Sequence, residues 1–392
     1  MSASVPIVKH LQDWCRESLR DLWSPPKGNI PALDVLRALA IMMVFCGHFA
    51  VDFQATGAVD RFPLFYWSWA GVDLFFVLSG ALIGAQLWKE LQRTESLNIG
   101  RFLLRRGLRI WPLYFSFVAF GAAEVWLNVP GHGRVWPDVF CVSNYFQNNQ
   151  VSGGWSLSTE EQFYILAPVA LWGLSRILKL RTLWVAGASA MLVCILSRAF
   201  TISHSILNEQ DLRQQLYFPI HTHADGLGMG VLIAWWWVFL PHRVAWFRWR
   251  GIVAGSMIIG GALLYALDRL LFNYTSLALI FGAVTLLGAG LRRTPQLLRW
   301  RGFYPISRLS YGIYLNHFVL LKWLAKPLLP WRVAGGNTAF FLLLIPSFLV
   351  CMLFATFTFQ LIEWPFLRLR SRWLRTSRTA RDSESSNVGA VA

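Results

Sequence analysis

Charge is scarce in this chain. Asp, Glu, Lys and Arg make up 14% of its 392 residues, against 55% hydrophobic and 15% aromatic residues, and the apolar residues fall in runs long enough to span lipid. Acidic residues are the rarer sign, 20 against 36 Lys and Arg, which leaves a net charge of +16. Cysteine is sparse as well. Cys15, Cys46, Cys141, Cys194 and Cys351 show no paired metal-ligand spacing, and only Cys141 is expected clearly in an outer loop, so neither zinc nor a disulfide framework is indicated. No fixed-period repeat stands out, and there is no HExxH-like spacing and no phosphate loop preceded by a strand. Residues 1–30, MSASVPIVKHLQDWCRESLRDLWSPPKGNI, lack the central apolar region and small-residue cleavage site of a secretory signal, so the first apolar run is expected to direct insertion itself.

Long apolar runs are what the chain does have. At about 20 residues per span, they predict ten helices, roughly at 32–53, 65–88, 108–128, 160–178, 182–203, 219–240, 251–268, 274–291, 306–326 and 339–362. The fold class is therefore all-α, a polytopic membrane helical bundle. Most Lys and Arg residues fall between the runs on one side, the positive-inside bias, and an even span count then puts both termini in the cytoplasm. Membrane topology accounts for the basic charge without a nucleic-acid partner. The expected division is a cytoplasmic segment 1–30, a transmembrane domain 31–367, and a basic, Ser-rich tail 368–392, disordered beside anionic lipid. No second soluble domain is expected after the last span, so the chemistry should lie within the bundle or in its loops, of which the longest outer one runs over about 129–159.

Ionisable residues inside spans are functional candidates by default. The stretch LDVLRALAIMMVFCGHF carries Asp34, Arg37 and His48. Arg37 and His48 are close to three helical turns apart, so they share one face about 16 Å apart along the axis. Asp34 stands three residues before Arg37, which leaves a simple interfacial ion pair open, and His48 could also be a buried neutral ring. The second span brings Asp73 in from the outer side at the depth expected of His48, so a histidine–carboxylate pair is available for general-base work. FPIHTHADGLGMG in the sixth span adds His221, His223 and Asp225 from the same side, and the ninth adds His317. His221 and His223, two apart, do not share a helix face, which disfavours a metal site. The glycines Gly226, Gly228 and Gly230 suit close helix packing.

At the cytoplasmic mouth of the third span, NIGRFLLRRGLRIWPLYF sets out Arg101, Arg105, Arg106 and Arg109. They fit ordinary topology charge, and they also fit a phosphorylated donor: Arg105 and Arg109 share a face with Arg106 beside them, and guanidinium groups bind phosphate in bidentate fashion. WSLSTEEQFY offers Ser156, Ser158, Glu160 and Glu161 near the outer end of the fourth span, and Ser158 with Glu161 equally fits a helix capping box.

Taken in order, LDVLRALAIMMVFCGH with its Arg-x10-His spacing, GVDLFFVLSG, RFLLRRGLRIWPLYF, WSLSTEEQFY, ADGLGMG, SYGIYLNHF and IEWPF resemble the membrane-bound acyltransferase family 3, the group that includes bacterial O-acetylases of surface polysaccharides. The resemblance runs from about Ala32 to Arg368. It implies acyl transfer from a cytoplasmic acyl-CoA, usually acetyl-CoA, to a hydroxyl of a carbohydrate or glycolipid acceptor at the outer face of a bacterial inner membrane, with no permanently bound cofactor and no metal. Carried over by position, His48 is the essential histidine and Arg37 its motif partner. Arg106 and Arg109, with Arg105, form the donor-binding segment, while Asp73, Glu160 and Glu161 are the acidic members. Asp34, Ser156, Ser158, His223, Asp225 and His317 complete the expected pocket.

Two departures stand out. His223 occupies a position where family members often carry Arg, and many members append an extracytoplasmic hydrolase-like domain after the bundle. Without that domain the bundle would transfer the acyl group directly or through a separate partner protein, and a homo-oligomer is equally compatible. Two readings from other classes stay open on sequence alone: a transporter or flippase using the same residues as a path, and a membrane scaffold.

Overall fold

The computed structural model describes residues 4–55, 57, 62–127, 133–146, 149–241, 247–290 and 295–373. The last 19 residues of the Ser-rich tail and parts of the long outer loop lie outside the described residues. Among the described residues, eleven helices of 15 residues or more dominate: α1 (Ser4–Trp23), α2 (Pro31–Asp52), α3 (Gly71–Thr94), α4 (Ile99–Trp126), α5 (Gly154–Ser175), α6 (Val185–His204), α7 (Asp225–Phe239), α8 (Phe247–Leu267), α9 (Arg269–Ala289), α10 (Phe303–Ala334) and α11 (Gly336–Thr358). Among the described residues the only extended pairing is an isolated bridge between Arg134 and Asn149.

Local chemistry explains where several helices begin. Proline opens α2, where its missing N–H costs nothing. Asn98 caps α4 by accepting from Arg101 N at 2.9 Å, and Asp268 caps α9 by accepting from Leu270 N and Leu271 N at 2.8 and 3.0 Å.

Among the described residues, six helices are long and apolar enough to cross a membrane: Pro31–Asp52, Ser68–Thr94, Leu180–His204, Arg248–Leu267, Arg269–Ala289 and Gly336–Trp373. They coincide with the first, second, fifth, seventh, eighth and tenth expected spans. At the other four positions stand helices α4, α5, α7 and α10. The α7 helix is apolar but only 15 residues long, whereas α4, α5 and α10 carry the arginines, glutamates and hydroxyls that build the cavity described below. Polar function and high hydropathy compete for the same positions.

The α2 helix is central, packing against α3, α9, α10 and α11. Its Phe45 and Phe49 are fully buried in the main core with Phe76, Trp88 and Phe340. The closest pairing is α3 with α7. A Cβ on Gly230 would run into Ala81 N and Val77 O, so the expected role of these glycines as packing positions holds. Trp88 Nε1 donates to Val231 O at 3.1 Å across the same seam.

The N-terminal segment is itself mostly helix. The amphipathic α1 docks on the end of the chain that follows α11: Trp14 packs edge-on against Trp364 at 4.5 Å, Trp364 Nε1 donates to Asp21 Oδ2 at 2.8 Å, and Gln360 Nε2 donates to Ser18 Oγ at 2.9 Å.

Candidate active site

The cavity begins with helix faces. Along α3, Val72, Phe76, Ser79, Ile83 and Gln86 recur every three or four residues and so form one stripe. Along α10, Tyr304, Ser307, Tyr311 and Tyr314 do the same, with Arg308 beside Ser307. These stripes, with residues from α2, α4 and α5, enclose a cavity of about 330 Å³, within the range of small-ligand sites.

Its charge is unbalanced. Arg37, Arg106, Arg109 and Arg308 line it, against the carboxylates of Asp34 and Glu160. Among the described residues, none of the four guanidinium groups makes an ion pair within 4.0 Å, and none donates a side-chain hydrogen bond. The carboxylates are engaged elsewhere. Asp34 accepts from Asn29 Nδ2 at 2.5 Å and from Ser307 Oγ at 2.9 Å, and Glu160 accepts from Ser79 Oγ at 2.5 Å and from Tyr164 OH at 2.9 Å. The Asp34–Arg37 ion pair left open by the sequence is thus replaced by bonds from Asn29 and Ser307. Arg105 stands outside the cavity, 3.7 Å from Glu90. Arg370, beyond α11, is close enough to Arg109 and Arg308 to interact with them electrostatically. Glu363, which ends the π-helical turn Phe359–Glu363, is buried, and among the described residues its Oε1 has no hydrogen-bond partner.

The far end of the cavity is closed by Ser156 and Tyr314, whose hydroxyls lie 2.6 Å apart. Tyr314 OH also donates to Gly153 O at 3.0 Å. Gly153, with φ of 75°, caps α5 in the left-handed region that favours glycine. Tyr314 leads on to a pair of histidines, its ring centroid lying 5.7 Å from that of His317.

His48 does not meet Asp73. His317 Nε2 approaches His48 Nδ1 at 3.2 Å, while His48 Nδ1 faces Val44 O at 2.9 Å and His317 Nδ1 faces Ile313 O at 3.0 Å. A carbonyl oxygen only accepts, so both Nδ1 atoms carry hydrogen, and His317 Nε2 is left as an acceptor for His48 Nδ1–H. The lone pair of His48 is therefore on Nε2, which has no protein partner among the described residues. That is the atom a general base must present.

Asp73, the carboxylate expected beside His48, belongs instead to His223, with His223 Nε2 at 2.8 Å from Asp73 Oδ1 and both side chains about 1% exposed. His223 Nδ1 also faces Tyr217 O at 2.6 Å. Asp225 is not open to a ligand either. It accepts two bonds from Arg198, at 2.7 and 3.0 Å, and one from Thr275 Oγ1 at 2.6 Å. Arg198 was not among the residues singled out from sequence, although an arginine within an apolar run was the available signal. Ser158 bonds Ser143 Oγ at 2.7 Å and lies one turn inside α5, so the capping-box reading fails because the helix starts at Gly154. Glu161 Oε2 accepts from Trp111 Nε1 at 3.0 Å. His221 bonds Tyr145 OH at 3.1 Å. In the outer loop, Asp138 gathers Val151 N, Gln150 N and Asn149 Nδ2 at 2.9 to 3.1 Å; burial pushes its carboxyl up, against the lowering effect of those bonds.

A helical membrane bundle with a basic cavity beside an oriented histidine is the class defined so far. The acyltransferase 3 family, described as an acyltransferase domain, matches residues 30–356, and the chain belongs to that family. Among its relatives, a Staphylococcus aureus (strain COL) protein provisionally named an O-acetyltransferase is 26% identical over 365 residues, covering 86% of this chain and 57% of its own. O-acetyltransferase OatA of Staphylococcus aureus (strain NCTC 8325 / PS 47) is 24% identical over 379 residues, covering 88% and 58%. The chain thus aligns with somewhat over half the length of these curated relatives. No solved structure matches it.

Proposed function

We propose that the chain is a membrane O-acyltransferase that moves an acyl group, acetyl by preference, from a cytoplasmic acyl-CoA to a hydroxyl of a carbohydrate or glycolipid acceptor, with no metal and no resident cofactor. The observation that carries this reading is the cavity whose four guanidinium groups, among the described residues, have no carboxylate within 4.0 Å. Arginines that outnumber the carboxylates of their cavity and pair with none of them favour an anion there, and the phosphates of coenzyme A supply several. Family membership and the O-acetyltransferase names of the relatives support the reaction class. On this reading there are ten spans with both termini cytoplasmic, in a bacterial inner membrane, and α4, α5, α7 and α10 cross despite their polar residues.

Arg106, Arg109 and Arg308 hold the donor phosphates near the mouth, with Arg37 deeper in. The thioester reaches the Ser156–Tyr314 end. His48 Nε2 takes the proton of the acceptor hydroxyl, the oxygen attacks the thioester carbonyl, and the tetrahedral oxyanion collapses with loss of the coenzyme A thiolate, which takes the proton back from His48. His317 positions the base, since its Nε2 accepts a stronger hydrogen bond from His48 Nδ1–H once His48 is charged. Transfer is direct.

The test compares acetyl content of purified surface glycans from a deletion strain complemented with wild type or with His48→Ala, at matched membrane levels. Loss of a general base predicts a fall of about 100- to 10,000-fold in transfer, seen as an acetyl resonance restored only by wild type. Full restoration by His48→Ala would overturn the assignment.

A further inference from the structure

A second cavity, of about 550 Å³, opens at the other end of the bundle from the arginine mouth. The donor cavity is reached past Asn29 and Asp34 at the start of α2 and Arg106 at the start of α4. The second is built from the residues just before α3, the end of α8, the start of α9 and the nine-residue helix Glu209–Tyr217. Its walls are aromatic. Trp67 lies 6.0 Å from Trp69 and 6.2 Å from Tyr265, ring centroid to centroid. Between the rings stand three neutral amides, Gln210, Gln214 and Asn273, and among the described residues none of these side chains is hydrogen-bonded to protein.

We propose that this groove is a subsite for a neutral sugar unit of the acceptor. Aromatic faces stack on the apolar C–H faces of a pyranose, while amides supply both donors and acceptors to its hydroxyls. A lipid headgroup is the competing occupant at a membrane interface, but one of the two cations of the groove is already ion-paired. Arg213 pairs with Glu209 at 2.5 Å, and Arg269 lies over the Tyr265 ring at 5.1 Å. A third cavity, lined by Leu328, Trp331, Leu342 and Leu343, has the apolar lining suited to acyl chains and offers no such amides.

The groove also borders the reaction path. Its Tyr274 ring packs on His223 at 3.9 Å, and its Tyr217 ring packs on Trp155 at 4.6 Å. Trp155 and His223 in turn touch Phe76, at 6.1 and 5.7 Å, which lines the donor cavity. One aromatic partition therefore separates the two cavities. The proposal rests on the acyltransferase reading for its acceptor, and extends it to the residues that hold the sugar.

The test uses the full chain in lipid nanodiscs and titrates maltotetraose and the neutral β-1,4 tetramer of N-acetylglucosamine, with acetyl-CoA titrated separately on the same samples. Wild type is expected to bind at least one saccharide. Trp67→Ala and the Gln214→Ala, Asn273→Ala pair are each expected to weaken that binding at least tenfold, with acetyl-CoA affinity unchanged. Failure of wild type to bind either saccharide, undiminished binding by both variants, or saturation of the groove by glycerophosphoglycerol instead would overturn the proposal. Loss of acetyl-CoA binding by wild type would instead strike the donor reading and leave the saccharide result standing.

Discussion

Arg198 and the four arginines of the donor cavity all lie within the helical bundle, yet their surroundings are opposite. Arg198, with 0% exposure, is given Asp225 in bidentate form, Thr275 Oγ1, and the carbonyls of Leu271 and Thr222 at 2.6 to 3.0 Å. Every donor direction that matters has an acceptor, so the group ties α6, α7 and α9 together and has nothing left for a ligand. Arg37, Arg106, Arg109 and Arg308 line open space instead. A satisfied buried charge fixes structure, and an unsatisfied one beside a cavity waits for a partner that is not protein.

The contrast breaks most readily at Asp225. Asp225→Ala strands the Arg198 guanidinium and is expected to cost about 3–5 kcal/mol of stability, read as a large fall in the thermal denaturation midpoint of the purified protein in nanodiscs; an unchanged midpoint would show that Arg198 is solvated. A smaller effect is expected at His317. His317→Ala leaves His48 Nδ1–H with Val44 O alone and should lower the transfer rate about tenfold, roughly 1.4 kcal/mol of barrier, with KM for the donor unmoved and part of the rate recovered in His317→Gln, whose amide oxygen accepts. Ser79→Ala is the mildest, removing one of two hydrogen bonds to Glu160 for about 1 kcal/mol, and should appear as a stability change of that size with the Tyr164 bond intact.

Much of the cavity was legible because its residues are polar in an apolar context. Arg37, Asp34, Arg106 and Glu160 each interrupt a hydrophobic run. Arg308 and Ser79 were overlooked although they fall on regular stripes, Tyr304 to Tyr314 on α10 and Val72 to Gln86 on α3. Those stripes become visible only when helix faces, and not ionisable residues alone, are traced. The partners of His48 and Asp73 failed for another reason. Depth along one helix follows from counting residues, whereas the offset between neighbouring helices and the direction in which a side chain leaves them follow from packing. Asp73 follows Gly71, which lies against Ala40, Met43 and Val44, so it stands deeper than His48 and bonds His223 just before α7, while α10 brings His317 to His48. Ser158 misled because a capping pattern is local, and the cap moved to Gly153 where a left-handed residue was needed. Four of the ten expected spans fall short on length or hydropathy alone, and three of these carry the polar residues that line the cavity.

The most direct measurement is equilibrium binding of acetyl-CoA to the purified full-length protein in nanodiscs, for wild type and for the Arg106→Ala, Arg109→Ala double variant, with thermal midpoints recorded on the same samples. Two lost charge-assisted contacts at about 1.5–3 kcal/mol each predict a fall in affinity of at least a hundredfold, with the midpoint nearly unchanged in the absence of ligand. Equal affinity in the two proteins would contradict the account, because the arginines would then be topology charge and the cavity would not be the donor site.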